Sequence, residues 1–384
     1  MFTNHQRLLR RPLLVCAIAL ALASAGTPAD TCSPHAREAG WTPPAVHAAG
    51  GDTLTLNALI ARLATRRVVL VGEQHDRYEH HLNQLEIVCR LRAHGPLAIG
   101  LEFFDTTAQR ALDDYVHRHG DLDRLLRESR WFERWGFDPR HYAPILRHAR
   151  AHHIALIALN VPGELVRRVA RGGMQSLDAA ARARLPASIL APSATYRARL
   201  RAIFAQHPGH EQQDFAAFVA AQSLWDEGMA QRAAEHLLEQ PGQRLVVLAG
   251  EGHVAHPDAI PQRLQRRVAA PLARVLQAQS PGELHAGAFD YRLLSAAREL
   301  PPAGRLGVRL SSGAGTHTIT GLDEAGAARD AGLRVGDRLL SLDSQAVESI
   351  VDVRLALWRR RPGDAVRVAF ERDGGMHQVM FALQ

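Results

Sequence analysis

The sequence predicts an α/β domain on a layered, mostly parallel sheet with a helical insertion, followed by a small β-rich α+β module. Three observations lead there. Four apolar runs, VVLV (68–71), LAIGL (97–101), IALIAL (154–159) and LVVLA (245–249), are short, mostly branched and without polar alternation. That is the pattern of strands buried on both faces of a parallel sheet. Long helical patterns, at about 79–93, 107–150, 164–205 and 213–239, separate the runs, and strands alternating with helices make α/β layers. The middle stretch exceeds what one crossover helix needs, which predicts the insertion. From residue 302 the chain changes character, to short segments punctuated by glycine.

Taken in chain order, residues 1–25 have the three parts of a secretory signal. Arg7, Arg10 and Arg11 form a basic n-region, LLVCAIALALASA an apolar run, and Ala23-Ser24-Ala25 a small-residue cleavage site. The run, about 13 residues, is short for a membrane span. Leu13-Leu14-Val15-Cys16 offers a lipid-anchor alternative, but most of the apolar run follows that cysteine. The expectation is a cleaved signal and a periplasmic or otherwise exported protein. Residues 26–48 read as a lead-in, 49–297 as the α/β domain and 302–384 as the second module, with Pro301-Pro302 at the junction. After cleavage Cys32 and Cys89 remain. Cys89 falls on an apolar helix stripe with Leu82, Leu85 and Val88, so the expectation is a buried free thiol there, with a Cys32–Cys89 disulfide as the alternative.

Composition excludes several classes. At 46% hydrophobic and 22% charged, the 384 residues are neither disordered nor fibrous. The formal charge of +7 comes from arginine alone, since the chain has no lysine. The acidic residues are interleaved with the arginines, so the charge reads as a solvated surface and nucleic acid is not an expected partner. No Walker A, GxGxxG or GxSxG pattern follows a strand, which removes nucleotide binding and the usual serine hydrolase.

The residues after the strands carry the chemistry. VVLV runs into Gly72-Glu73-Gln74-His75, LAIGL into Glu102, IALIAL into Asn160, and LVVLA into Gly250-Glu251-Gly252-His253. In a parallel sheet these positions share the carboxyl edge, where open α/β folds bind ligands. Two imidazoles and two or three carboxylates on one edge can bind a metal or move protons. His75 and His253 are therefore candidate metal ligands, and Glu73 and Glu102 candidate catalytic carboxylates. His80 and His81 sit where they could face the same crevice. His141, His148, His152 and His153 read as surface, and His207 and His210 as loop residues, with a mobile ligand pair as the alternative. Asp226 shares a mainly packing stripe with Phe215, Phe218 and Val219, from which it could look into the site.

Five ordered segments, VVLVGEQHDRYEHHLNQ, LEFF, ALNVPGELVRRVA, AQSLWDEGMA and LVVLAGEGHVAHPDAIPQRL, together resemble the ChaN-like haem-binding family. That family belongs to the wider group of Tiki proteases and erythromycin esterases. The resemblance spans about residues 49–296. It implies an α/β/α sandwich with a helical subdomain, a role in haem or iron uptake, and a homodimer around haem. The wider group's GxxH motifs and glutamate, in metal-dependent hydrolytic roles, map to Glu73, His75, Glu102 and His253. Glu251 departs from the family pattern. Haem in the family is tied to tyrosine ligation, for which the candidates here are Tyr142 and Tyr196.

The final module, GRLGVRL, GAARDAGLRVGDRLLSLDSQAV and RPGDAVRVAFERDG, resembles a PDZ domain of the kind associated with bacterial proteases. Leu306, Gly307 and Val308 match its carboxylate-binding loop. The resemblance implies that loop amides hold a peptide's terminal carboxylate while the next strand pairs with the peptide. The leading expectation is an exported haem- or iron-handling protein with a PDZ docking module. The alternatives are a hydrolase using zinc or manganese at the strand-end site, and a scaffold without chemistry.

Overall fold

The structure, a computed structural model, describes residues 32–118, 120–206, 214–280, 289–311 and 317–384. The signal segment 1–25, with Cys16, and the histidines His207 and His210 lie outside these residues.

The main sheet comprises β1 (Ala45–Ala48), β2 (Thr53–Leu54), β3 (Val68–Glu73), β4 (Leu97–Asp105), β5 (Ala155–Asn160), β6 (Arg244–Gly250), β7 (Leu272–Ala278) and β8 (Tyr291–Leu294). Their order is β2-β1-β8-β7-β3-β6-β4-β5. Neighbours from β8 to β5 pair in parallel, and β1 pairs antiparallel with both β2 and β8. Alternate residues of one strand feed opposite cores, because successive side chains point to opposite faces. Val69, Val71, Ile99 and Leu101 pack with Leu82, Leu85 and Leu146 on one face. Val68, Leu70, Leu245 and Val247 pack with Met229, Ala233 and Leu237 on the other. Both faces are covered, so the α/β/α layering follows.

The stretch 107–150 breaks into the helices Gln109–His117, Leu122–Glu128, Trp131–Arg134 and Pro139–Ala151. Two of the breaks have a backbone cause: Arg130 and Gly136 have left-handed φ of 55° and 82°, and Pro139 opens the last helix where no donor is needed. The insertion after β5 includes the helices Gly163–Gly172 and Ala194–Phe204, which pack in small cores of their own.

Two features of the amino-terminal segment differ from the sequence reading. Residues 32–48 of the expected lead-in hold the helix Pro34–Glu38 and strand β1, and β1 joins the domain's sheet. Cys89 is not a free thiol; it forms a disulfide with Cys32 across Cα atoms 5.9 Å apart. The cause lies one turn before Cys89, where the buried carboxylate of Glu86 accepts from the amides of Cys32 and Ser33 at 3.0 and 2.7 Å. That clamp brings a distant segment to the helix, and spacing along the chain does not show it.

The carboxyl-terminal module contains β9 (Val308–Leu310), β10 (Ile319–Leu322), β11 (Arg338–Leu342), β12 (Gln345–Ala346), β13 (Ala365–Arg372) and β14 (Gly375–Ala382). They form a β10-β9 pair and a β12-β11-β13-β14 sheet around Leu306, Ile319, Leu339 and Val366. Its helix Ile350–Leu357 docks on the α/β domain: Leu355 and Trp358 join the first core. Arg127 pairs with Asp352 at 2.6 Å, the Trp358 indole donates to Asp123 at 2.7 Å, and Arg354 donates to the Phe132 carbonyl at 3.1 Å. Among the described residues no helix is long and apolar enough to cross a membrane.

Candidate functional site

Strand order places the site. Glu73 ends β3 directly opposite Gly250 at the end of β6, and β4, carrying Glu102, flanks β6 on its other side. The strand ends therefore present Glu73, His75, Glu102 and His253 together. Gly250 makes the closeness feasible: a Cβ there would lie 2.9 Å from His75 Cε1 and 3.4 Å from Glu102 Oε2. Its amide donates to Glu102 Oε2 at 2.5 Å, which satisfies a carboxylate that burial would otherwise penalise.

Each imidazole is held by its own carboxylate. His75 Nδ1 donates to Glu73 Oε1 at 2.6 Å, and the buried His81 donates to the His75 carbonyl at 3.1 Å while lying 3.4 Å from Glu73 Oε2. His253 Nδ1 donates to Asp226 Oδ1 at 2.6 Å, with Nε2 at 3.5 Å from Glu102 Oε1. Burial raises the Glu73 pKa. Burial opposes charge on both rings, yet the Glu73 hydrogen bond and nearby Glu102 raise His75, and Glu102 with Asp226 push His253 up to about 9. Burial lowers His81 well below the ordinary imidazole value.

Of these groups His75, Glu102 and His253 face a cavity of about 450 Å³, whose wall also includes Phe103, Trp135, Val166 and Trp225. Trp135 and Phe137 contact the His75 ring at centroid distances of 4.7 and 4.9 Å. Arg134 and Arg167 also line the space, and Arg134 is tied to Asp105 at 2.8 Å.

The two candidate tyrosines are not placed as the sequence reading expects. Tyr142 and Tyr196 are buried, at 0% and 1% exposure, and neither is among the residues lining the cavity. The Tyr142 hydroxyl donates to the His75 carbonyl at 3.4 Å and that of Tyr196 to Asp226 at 2.7 Å. Burial raises both phenol pKa values, against the phenolate a ferric ligand needs. The metal expectation for His75 and His253 also lacks a donor set. Among the described residues, no group of three or more His, Cys, Asp or Glu side chains is placed to hold an ion.

Other histidines move too. His80, His81 and His141 are buried, at 0%, 1% and 8% exposure. None of the three lines the cavity, and His141 is not surface. Asn160 donates to the Glu102 carbonyl at 3.1 Å and so fixes the β4 end. Asp226, which the sequence placed on a packing stripe from which it could look into the site, is tied to His253 at 2.6 Å. Trp135 was not legible in the sequence.

In the second module, Leu306 is buried, Gly307 takes a left-handed φ of 69°, and Val308 opens β9. Among the described residues β9 pairs only with β10, which leaves an edge for an added strand.

Residues 59–264 match the sequence model of a family described as haem-binding uptake, Tiki superfamily, ChaN. Residues 304–383 match that of the PDZ domain. The solved structure titled "Cofacial heme binding to ChaN of Campylobacter jejuni" superposes with TM-score 0.54 at 17% identity, covering 67% of this chain and 98% of that one. A mutant of the erythromycin esterase EreC gives TM-score 0.37 at 14% identity, over 63% of this chain and 79% of that one. The HtrA-type protease AlgW with a decapeptide gives TM-score 0.20 at 22% identity, over 21% of this chain and 29% of that one. No curated protein matches the chain.

Proposed function

Because the chain belongs to the ChaN haem-binding uptake family of the Tiki superfamily and carries a PDZ domain behind that domain, we propose that it is an exported haem-binding protein serving iron uptake. The observation that carries this reading is the strand-end cavity, which brings Phe103, Trp135, Val166 and Trp225 together with the imidazoles of His75 and His253. Haem is flat, largely apolar and carries iron that imidazole can hold, so walls and donor fit it, whereas Tyr142 and Tyr196 do not face it. The disulfide supports export, since such bonds persist in oxidising compartments. The open edge of β9 supports docking of a protein's C-terminal peptide. A haem-bridged homodimer belongs to the same proposal.

Haemin titration of the purified chain, followed by absorbance, tests it. The expected result is a saturable Soret shift at a whole-number ratio; a featureless, non-saturating rise would remove haem from the account.

The two imidazole–carboxylate pairs favour a second reading, a hydrolase. There His75, oriented by Glu73, takes a proton from water as general base, while His253, held charged by Asp226 and Glu102, stabilises developing negative charge. For the zinc or manganese version, no group of three or more His, Cys, Asp or Glu side chains is placed to hold an ion among the described residues. Ester turnover lost in His75→Ala would support this reading, and turnover unchanged in that variant would end it.

A further inference from the structure

We propose that a second cavity, at the join of the α/β and PDZ domains, binds a small multivalent oxyanion that fastens the two domains together. This cavity, of about 240 Å³, has Trp358 and the linker residue Pro301 on its wall. Arg140 and Arg147 reach it from the helix Pro139–Ala151, and Arg359 and Arg361 from the chain just after the helix Ile350–Leu357. No Asp or Glu lines it. Two of the four guanidiniums are already neutralised, Arg140 by Asp138 at 2.6 Å and Arg359 by Asp123 at 2.8 Å. Arg147 and Arg361 have no carboxylate partner among the described residues. They come from different domains, so the dock sets two uncompensated cations on one small space. Like charges juxtaposed across an interface cost free energy, and an anion between them turns that cost into attraction.

The rest of the wall suits the same ligand. The guanidiniums of Arg147 and Arg359 stand over the buried Trp358 indole, 5.8 and 4.5 Å from its centroid. Stacking on an aromatic ring leaves the N–H fork of an arginine for an oxyanion. Burial, and after it the charge of Arg147, lowers the pKa of His35 on the same wall, as an uncompensated guanidinium would. Glu38, whose charge also reaches His35, does not line the cavity. The arginine fork matches carboxylate and phosphate alike, so the shared chemistry is an oxyanion with at least two charges, one for each unpaired arginine.

The test is calorimetric titration of the full chain with citrate and with inorganic phosphate, at an ionic strength held constant with sodium chloride. At least one of the two should bind saturably, one per chain, and raise the melting temperature. Tighter binding of citrate would mark the ligand as an organic carboxylate, and tighter binding of phosphate as a phosphoryl group. Arg147→Gln and Arg361→Gln should each weaken binding by about tenfold. Arg110→Gln, which removes an exposed arginine outside this cavity, should bind as wild type does. Without added anion both cavity variants should melt at or above the wild-type temperature, because each removes one of two repelling charges. A lower temperature in both would contradict that premise. No saturable binding of either anion, an equal loss in Arg110→Gln, or wild-type affinity in both cavity variants would overturn the site.

Discussion

At the scale of single residues, His253 shows how the fold holds a charge in place. Its pKa of about 9 exceeds the ordinary 6.5 because Glu102 and Asp226 outweigh burial. A group whose folded pKa is raised contributes stability that is full below pH 6.5 and is lost as pH climbs through 9. His148 works the other way: burial, with His152 and Arg92, lowers it to about 4. Its contribution is present above pH 6.5 and lost as pH falls through 4. Thermal melting should therefore show greatest stability near pH 6.5, with an alkaline decline that His253→Gln flattens. An alkaline limb unchanged in that variant would contradict the assignment. The strand-end residues Glu73, His75, Glu102 and His253 were legible in the sequence because buried runs mark the sheet edge without knowledge of packing. Asp226 was legible only as a residue that could look into the site, and Trp135 not at all, because their roles depend on which helix face meets the β6 and β4 ends. The tyrosines misled for the same reason: a phenol's side of the wall is set by tertiary contact.

At the scale of elements, β3, β4, β5 and β6 follow the four apolar runs closely, since a strand buried on both faces leaves an unbroken apolar signature. What the sequence hid were the tethers. Glu86 drew Cys32 to Cys89 over 57 residues, and the bond closes a long loop in the unfolded chain. Reduction should lower stability by roughly 2–4 kcal/mol, read as an earlier urea midpoint with reductant. An unchanged midpoint would mean that the Glu86 clamp alone holds the segment. The helix Ile350–Leu357 was equally hidden, because Leu355 and Trp358 look like ordinary apolar positions until they meet the first core.

At the scale of the whole molecule, that helix joins the PDZ domain to the same helical layer that supplies Trp131–Arg134 and Trp135 to the cavity side. The two domains are thus docked rather than strung on a linker, and the PDZ edge strand and the cavity belong to one framework. Haem in the strand-end cavity is the central claim, and a filled cavity tests it most directly. Ala170, half-buried on the cavity wall, can be changed to Trp without touching His75 or its carboxylate. In parallel haemin titrations the account predicts that wild type saturates and Ala170→Trp does not. Equal saturation by both proteins would place haem elsewhere on the chain and contradict it.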